Sequence, residues 1–245
     1  MSSLCSELMQ KSAEDKFEFL YGLFLELNAE VKTILSFGPC NTALVQKTDD
    51  LFHFLKNKGT FFPFHLQKDE LAIMPTIFAK NLLYSAKEDK EKTGNIYEHY
   101  LQLSLQYGTG TCEFFSIVGA YFLAKKYNVA LSIETIFSQE SHTYIRLYTQ
   151  PEYILDFWAE MVCEYNDDVT WLEVLGPSYQ RRDATYRTDL VLNSKDLIAM
   201  GDRVFTEANA SVRSKTLHEI ENRVAQFLHS VASISPERKQ ASILK

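Results

Sequence analysis

Tyr107-Gly108-Thr109-Gly110-Thr111-Cys112 runs directly into Glu113-Phe114-Phe115-Ser116-Ile117-Val118-Gly119-Ala120-Tyr121-Phe122-Leu123-Ala124. The stretch from Phe114 to Ala124 is apolar on nearly every face, which predicts a helix at the centre of a fold rather than on its surface. It is too short to span a bilayer. Lys125 and Lys126 suit its C-terminal end, and Asn128 supplies a stop. Gly108 and Gly110 allow a sharp turn and a close approach to the backbone. Thr111 is placed to cap the helix. Cys112 then falls in the first turn, where unpaired N–H groups and the positive end of the dipole favour a thiolate. The expectation is a helix that buries all but its first residue and so aims a nucleophile rigidly.

Downstream, Val129 to Phe137, His142 to Tyr148 and Tyr153 to Trp158 read as strands, with Thr149-Gln150-Pro151-Glu152 as a turn. A hairpin centred on Thr149 would set His142 directly opposite Asp156, on the same face. An aspartate within Tyr-Ile-Leu-Asp-Phe-Trp is costly to bury without a partner. Asp156 is therefore expected to hold one imidazole nitrogen of His142 and fix its tautomer, while the other nitrogen meets the thiol. Trp158 shares that face and would shield the pair. Gln106, six residues before Cys112, has two readings. It is either an amide that joins the Cys112 N–H in an oxyanion hole or the polar end of a helix from Asn95 to Gln106. His99, on that helix, is the alternative base. A competing reading has a buried Cys112, an exposed His142 and an unrelated Asp156.

Cys112 heading a helix, with His142 and Asp156 on successive strands, resembles the papain-like and transglutaminase-like cysteine superfamily. Gln106-Tyr-Gly-Thr-Gly-Thr-Cys112 resembles the papain-type glutamine, glycine-bearing loop and nucleophile. The separations from Cys112 to His142 to Asp156 are similar to those of the compact transglutaminase-like core, including the glutamine deamidase domains of some bacterial toxins. The resemblance covers residues 95 to 160. Glu113 and Phe114 depart from the Gly/Ser and aromatic residues that often flank the papain-type cysteine, and Phe157 from the proline that often follows the transglutaminase aspartate. The resemblance implies an α+β fold, in which a central helix headed by cysteine packs on an antiparallel sheet with helical N- and C-terminal additions. It further implies acyl transfer on an amide of a protein substrate through catalytic Cys112, His142 and Asp156, without a cofactor. Glutamine deamidation is the preferred outcome, followed by transglutamination, with cysteine proteolysis as the alternative. A non-catalytic protein-binding module on the same fold is the alternative of another class.

The rest of the chain sets bounds. Residues 1–92 read as a helical segment, 93–192 as the catalytic core, 193–232 as a C-terminal helical segment and 233–245 as a mobile tail. In the first, Phe17, Leu20, Phe24, Leu27, Val31 and Ile34 recur at helical spacing. Further helices are predicted over Ala43 to Asn57 and Leu71 to Ala86, the latter with Pro75 in its first turns. Lys87 to Lys92 reads as a solvated connection, and Phe61-Phe62-Pro63-Phe64 as packing. Thr170 to Leu175 and Tyr186 to Leu192 read as strands, and Asn193 or Ser194 as a cap. A long helix is predicted over Asp202 to Ala232.

A net charge of −7 and a pI near 5.4 argue against nucleic acid as a partner. The four cysteines are widely spaced and lack metal-ligand patterns, and His53 and His65 lack helical ligand spacing, so neither a disulfide framework nor a metal site is expected. Cys5, Cys40 and Cys163 read as ordinary thiols. No membrane span is expected. The N-terminus lacks a basic start and a continuous apolar stretch, which predicts synthesis in a reducing cytosol. Release into a host cytosol without a cleaved signal is compatible with that start.

Overall fold

The computed structural model describes residues 2–58, 67–88, 95–166, 169–176 and 184–234. Among them the chain forms ten helices and one five-stranded antiparallel sheet, an α+β architecture. Five helices come first: α1 (Leu4–Met9), α2 (Ala13–Ile34), α3 (Ala43–Lys58), α4 (Lys68–Ala72) and α5 (Met74–Glu88). Two more, α6 (Ile96–Tyr107) and α7 (Cys112–Lys126), lead into β1 (Ala130–Phe137), β2 (Ser141–Leu147), β3 (Tyr153–Asp156) and β4 (Met161–Glu164). The chain continues through α8 (Val169–Leu175), β5 (Thr185–Asn193), α9 (Ser194–Val204) and α10 (Glu207–Ile234). The strand order is β4-β3-β2-β1-β5.

Helix α7 is the axis of the fold. It packs against α2, α6, α9 and the face of β2, and from Cys112 to Ala124 only Glu113 and Phe122 escape full burial. Its apolar sequence is matched by neighbours on every side. Burying Phe114, Phe115, Ile117, Val118 and Leu123 is worth roughly 1.5–3 kcal/mol each, enough to lock the helix against its strand. One face of the sheet, carrying Leu131, Ile133, Ile145, Leu147, Tyr153 and Leu155, joins this core. The other face carries Ile136, Tyr144 and Ile154 and is covered by Trp171 of α8. A second cluster joins α3 and α5 to α10 through Val45, Met74, Ile77, Ile220 and Val224.

Several elements differ from the sequence reading. Helix α2 buries Leu20, Leu23, Phe24, Leu27 and Val31, whereas Phe17 lies outside the stripe, 42 % exposed. The segment expected as one helix from Leu71 divides into α4 and α5, and Pro75 occupies the first turn of α5. Residues 170–175 are helical because Trp171, Leu172 and Leu175 meet the sheet at helical spacing. The long helix expected from Asp202 begins instead at Glu207, and Asp202 to Val204 close α9. The Phe205 N–H bonds back to the Gly201 carbonyl, and Thr206 Oγ1 then accepts from the Asn209 N–H to start α10. Asn193 caps α9, as expected, by accepting from the Asp196 N–H at 3.0 Å. The phenylalanine cluster at 61–64, His65, the side chain of His53, residues 89–92 of the charged connection and residues 235–245 of the tail lie outside the described residues. No helix among the described residues is long and apolar enough to cross a membrane.

Candidate active site

Asp156 is the last residue of β3, and its own side chain explains why the strand ends there. Oδ1 accepts from the N–H groups of Trp158 (3.1 Å) and Ala159 (2.9 Å), an Asx-type turn. Glu160 follows at φ 56°, and the chain reverses into β4, a strand missing from the sequence reading. The expected third strand therefore stops two residues short of Trp158. Oδ2 is left facing the sheet, where it meets His142 Nε2 at 2.6 Å and accepts from Trp171 Nε1 at 2.7 Å. His142 and Asp156 are 3 % and 1 % exposed. Burial works to raise the Asp156 carboxyl, but the charge and hydrogen bond of His142, with those of Trp171 and Ala159, hold it below the usual carboxylate range.

Aromatic rings enclose the pair. The indole of Trp158 stands edge-on to the imidazole at 5.1 Å between centroids, and that of Trp171 is tilted at 6.1 Å. Trp158 performs the shielding expected of it and is itself tied down by an Nε1 bond to Asn41 Oδ1 at 2.8 Å. Trp171 escaped the sequence reading. A lone tryptophan in a run taken for a strand gave little signal that it would bond the aspartate.

Cys112 reaches this corner from the other side of the sheet. The recorded pairing of β3 with β2 stops at Ile145↔Leu155, so the end of β2 that bears His142 and Thr143 lies past it. The first turn of α7 approaches there: the Thr143 carbonyl accepts from Ser116 Oγ at 3.1 Å, and the Thr143 N–H lies near enough to the Cys112 sulfur to favour its ionised form. The sulfur thus rests on the peptide that joins His142 to Thr143. Cys112 is brought to the strand of His142, and His142 is brought to Asp156.

The electrostatics of the thiol correct the expectation of a helix-stabilised thiolate. Cys112 is 4 % exposed, so even the first residue of α7 is buried. Burial first, then the Glu113 carboxylate and Asp156, push its thiol well above the ordinary range, against the Thr143 N–H. The S–H donates to Glu113 Oε2 at 3.4 Å. Thr111 holds the N-cap position, but its hydroxyl donates to the same carboxylate oxygen at 2.5 Å instead of accepting from the helix. Glu113, noted in the sequence only as a departure from a motif, adds to burial in disfavouring the thiolate.

Gln106 lies half-buried in the last turn of α6, before the left-handed cap at Gly108. The Cys112 sulfur bonds to Glu113, and the Asp156 carboxylate to His142, Trp158, Ala159 and Trp171. His99 sits in the first turn of α6, where its N–H bonds to the Asn95 carbonyl. None of the four cysteines is in a disulfide; burial pushes the Cys40 thiol up to about 11. Among the described residues no group of three His, Cys, Asp or Glu side chains converges as a metal site.

Beside the cysteine lies a cleft of about 300 Å³, between the starts of α6 and α7 and the ends of β1, β2 and β5. Glu113, which accepts from the Cys112 thiol, and Thr143, whose N–H lies near the sulfur, form part of its wall. Comparison of the chain with protein-family models, with curated proteins and with solved structures gives no match.

Proposed function

We propose that this chain is a cysteine-dependent acyl-transfer enzyme acting on an amide of a protein substrate, with glutamine deamidation as its reaction. The observation that carries this reading is the buried 2.6 Å contact of His142 Nε2 with Asp156 Oδ2, one peptide away from the Cys112 sulfur. A carboxylate on Nε2 keeps the proton there and makes Nδ1 the nitrogen that exchanges a proton with the thiol. The resemblance of the sequence around Cys112 to the papain-like and transglutaminase-like superfamily supports the same roles.

The raised thiol dictates the order of events. Cys112 rests protonated, so His142 acts as general base when the substrate arrives, taking the S–H proton as sulfur bonds to the amide carbon. The Cys112 N–H, ahead of the intrahelical ladder, donates to the oxyanion. The imidazolium then protonates the departing nitrogen; the C–N bond breaks, ammonia leaves and a thioester remains. Water gives a proton to His142 and attacks the thioester carbon. The C–S bond breaks, the glutamate side chain is released and the sulfur recovers its proton. Asp156 stabilises the imidazolium in both halves.

A second reading has one observation in its favour. The burial of the Cys112 thiol beside Glu113 also suits a non-catalytic module that binds a protein partner. The test is a mass spectrum of a mixture of glutamine-containing peptides and proteins incubated with wild type and with Cys112→Ala. Amide-to-acid conversion by wild type alone is the expected result. New fragments would assign proteolysis and joined chains crosslinking. Identical spectra would leave the binding module.

A further inference from the structure

The cleft next to Cys112 has its own chemistry. Its walls carry the rings of Tyr97, Tyr100 and Phe137, the carboxylates of Glu113 and Asp189, and one guanidinium, Arg187. The two carboxylates act on shared neighbours, since burial first, and then both of them, raise the hydroxyls of Tyr97 and Tyr100. Arg187 offsets only one. Its Nε donates to Asp189 Oδ1 at 2.5 Å while its side chain, 64 % exposed, lies over Phe137 with 4.6 Å from Cζ to the ring centroid. Asp189 is 12 % exposed and also accepts from the Thr135 hydroxyl, so its charge is fixed at the wall rather than solvated. Two carboxylates against one screened cation leave the cleft negative. Aromatic faces beside fixed negative charge favour an organic cation over a neutral or anionic side chain.

We infer that this cleft is a subsite for a cationic side chain, lysine or arginine, of the protein substrate, which it anchors while a neighbouring amide lies over Cys112. The inference rests on the proposed acyl transfer for its meaning but not for its test. The Arg187 guanidinium already shows the mode of binding, a cation over Phe137 with Asp189 as its counter-ion. The substrate cation would take the position between Asp189 and Glu113, with Tyr97 and Tyr100 as walls.

The test uses full-length Cys112→Ala protein, which binds without reacting, and three tripeptides, acetyl-Gly-X-Gly-amide with X as lysine, norleucine or glutamate. Binding is followed by NMR titration. The lysine peptide is expected to bind at least tenfold more tightly than norleucine, with shifts centred on Tyr97, Glu113 and Asp189, and the preference should shrink as salt is raised. Asp189→Asn and, as a second variant, Glu113→Gln should each reduce it, while Arg187→Ala, which removes the competing cation, should increase it. Equal binding of lysine and norleucine, tighter binding of glutamate, or a preference indifferent to both acidic substitutions would overturn the subsite. A lysine preference in Cys112→Ala, alongside wild-type protein that converts no amide, would retain the subsite and remove the enzyme.

Discussion

His142 and Asp156 touch without being cross-strand partners. The register Ile145↔Leu155, Arg146↔Ile154, Leu147↔Tyr153 continues to put Asp156 across from Tyr144, two residues along β2 from His142. The hairpin is centred on Gln150, not Thr149, so the directly opposed pair expected from the sequence is a diagonal one. A shift of two residues preserves the face, and a diagonal separation of about 7–8 Å between Cα atoms is within reach of an imidazole and a carboxylate. A shift of one would have turned Asp156 into the α7 core.

Asp156→Asn tests that contact. The amide N–H₂ would face His142 Nε2 and invert the tautomer, which predicts a loss of activity of roughly 10³–10⁴-fold. Stability should fall by on the order of 3 kcal/mol, the cost of breaking a buried charge pair. The sign of the pH dependence follows from the lowered carboxyl. Its contribution is complete above the unfolded carboxylate range near pH 4 and is lost as pH falls through the depressed folded value. Denaturant midpoints measured from pH 6 downward should show this acid limb in wild type and not in the variant.

The legible parts of the molecule were those that one local pattern settles. The all-round apolar run of α7 required a central helix, and the turn residues Thr149 to Glu152 placed β2 and β3 on adjacent tracks. Asn95 and Asn193 marked helix starts correctly. What failed depended on contacts distant in sequence. Trp171 fits a strand or a helix by composition, and only its fit over Ile136, Tyr144 and Ile154 chooses the helix. Asp156 ends β3 by folding its carboxylate onto the N–H groups of Trp158 and Ala159, a choice invisible in an apolar run. The thiol differs for another reason: the dipole of α7 favours a thiolate, but burial and then the carboxylate of the next residue work against it.

Glu113→Gln addresses the thiol directly. Removing the carboxylate that Cys112 faces at 3.4 Å lowers the cost of ionising the sulfur, and alkylation of Cys112 at pH 8 should accelerate by roughly threefold to tenfold. In wild type, Cys112 should react more slowly than the half-buried Cys5 and Cys163. The linked stability effect runs opposite to that of Asp156. Because the folded thiol is raised, its contribution is complete below the unfolded thiol value near pH 8.5 and is lost as pH rises through the folded one. Stability of wild type should therefore decline above about pH 8.5, and Cys112→Ala should remove that component. Cysteine-selective mass spectrometry and denaturation at alkaline pH check the two halves.

Trp171→Phe keeps a large ring beneath the sheet but deletes the Nε1–H that meets Asp156 Oδ2 at 2.7 Å. A hydrogen bond to a buried charge is worth about 1.5–3 kcal/mol, and the loss should appear in full because no solvent reaches the carboxylate. The Asp156 carboxyl should rise, moving the acid limb of stability to higher pH. The amide-conversion rate should fall far less than in Asp156→Asn, since His142 keeps its partner. Equal losses in the two variants would make Trp171 essential to the orientation of the ring.

Gly119→Ala probes how firmly the helix and the site are coupled. A Cβ at Gly119 would stand 2.2 Å from Cδ2 and Cε2 of Phe157, the residue after Asp156. That ring has little room to withdraw, because it is 1 % exposed and stacked on Phe24 at 4.9 Å between centroids. Overpacking of this kind costs about 1–3 kcal/mol. Relief requires either α7 or the Phe157 turn to move, and each displaces one member of the candidate triad relative to the others. Activity should therefore fall by more than the fraction unfolded at the assay temperature accounts for. Gly22→Ala on α2 is the control, since a Cβ there meets nothing within 4 Å and alanine in a helix interior is favoured over glycine by about 0.5–1 kcal/mol. Thermal denaturation should show opposite shifts for the two substitutions, and a Gly119→Ala protein with unchanged stability would mean that Phe157 and the turn bearing Asp156 are not held as tightly as their packing requires.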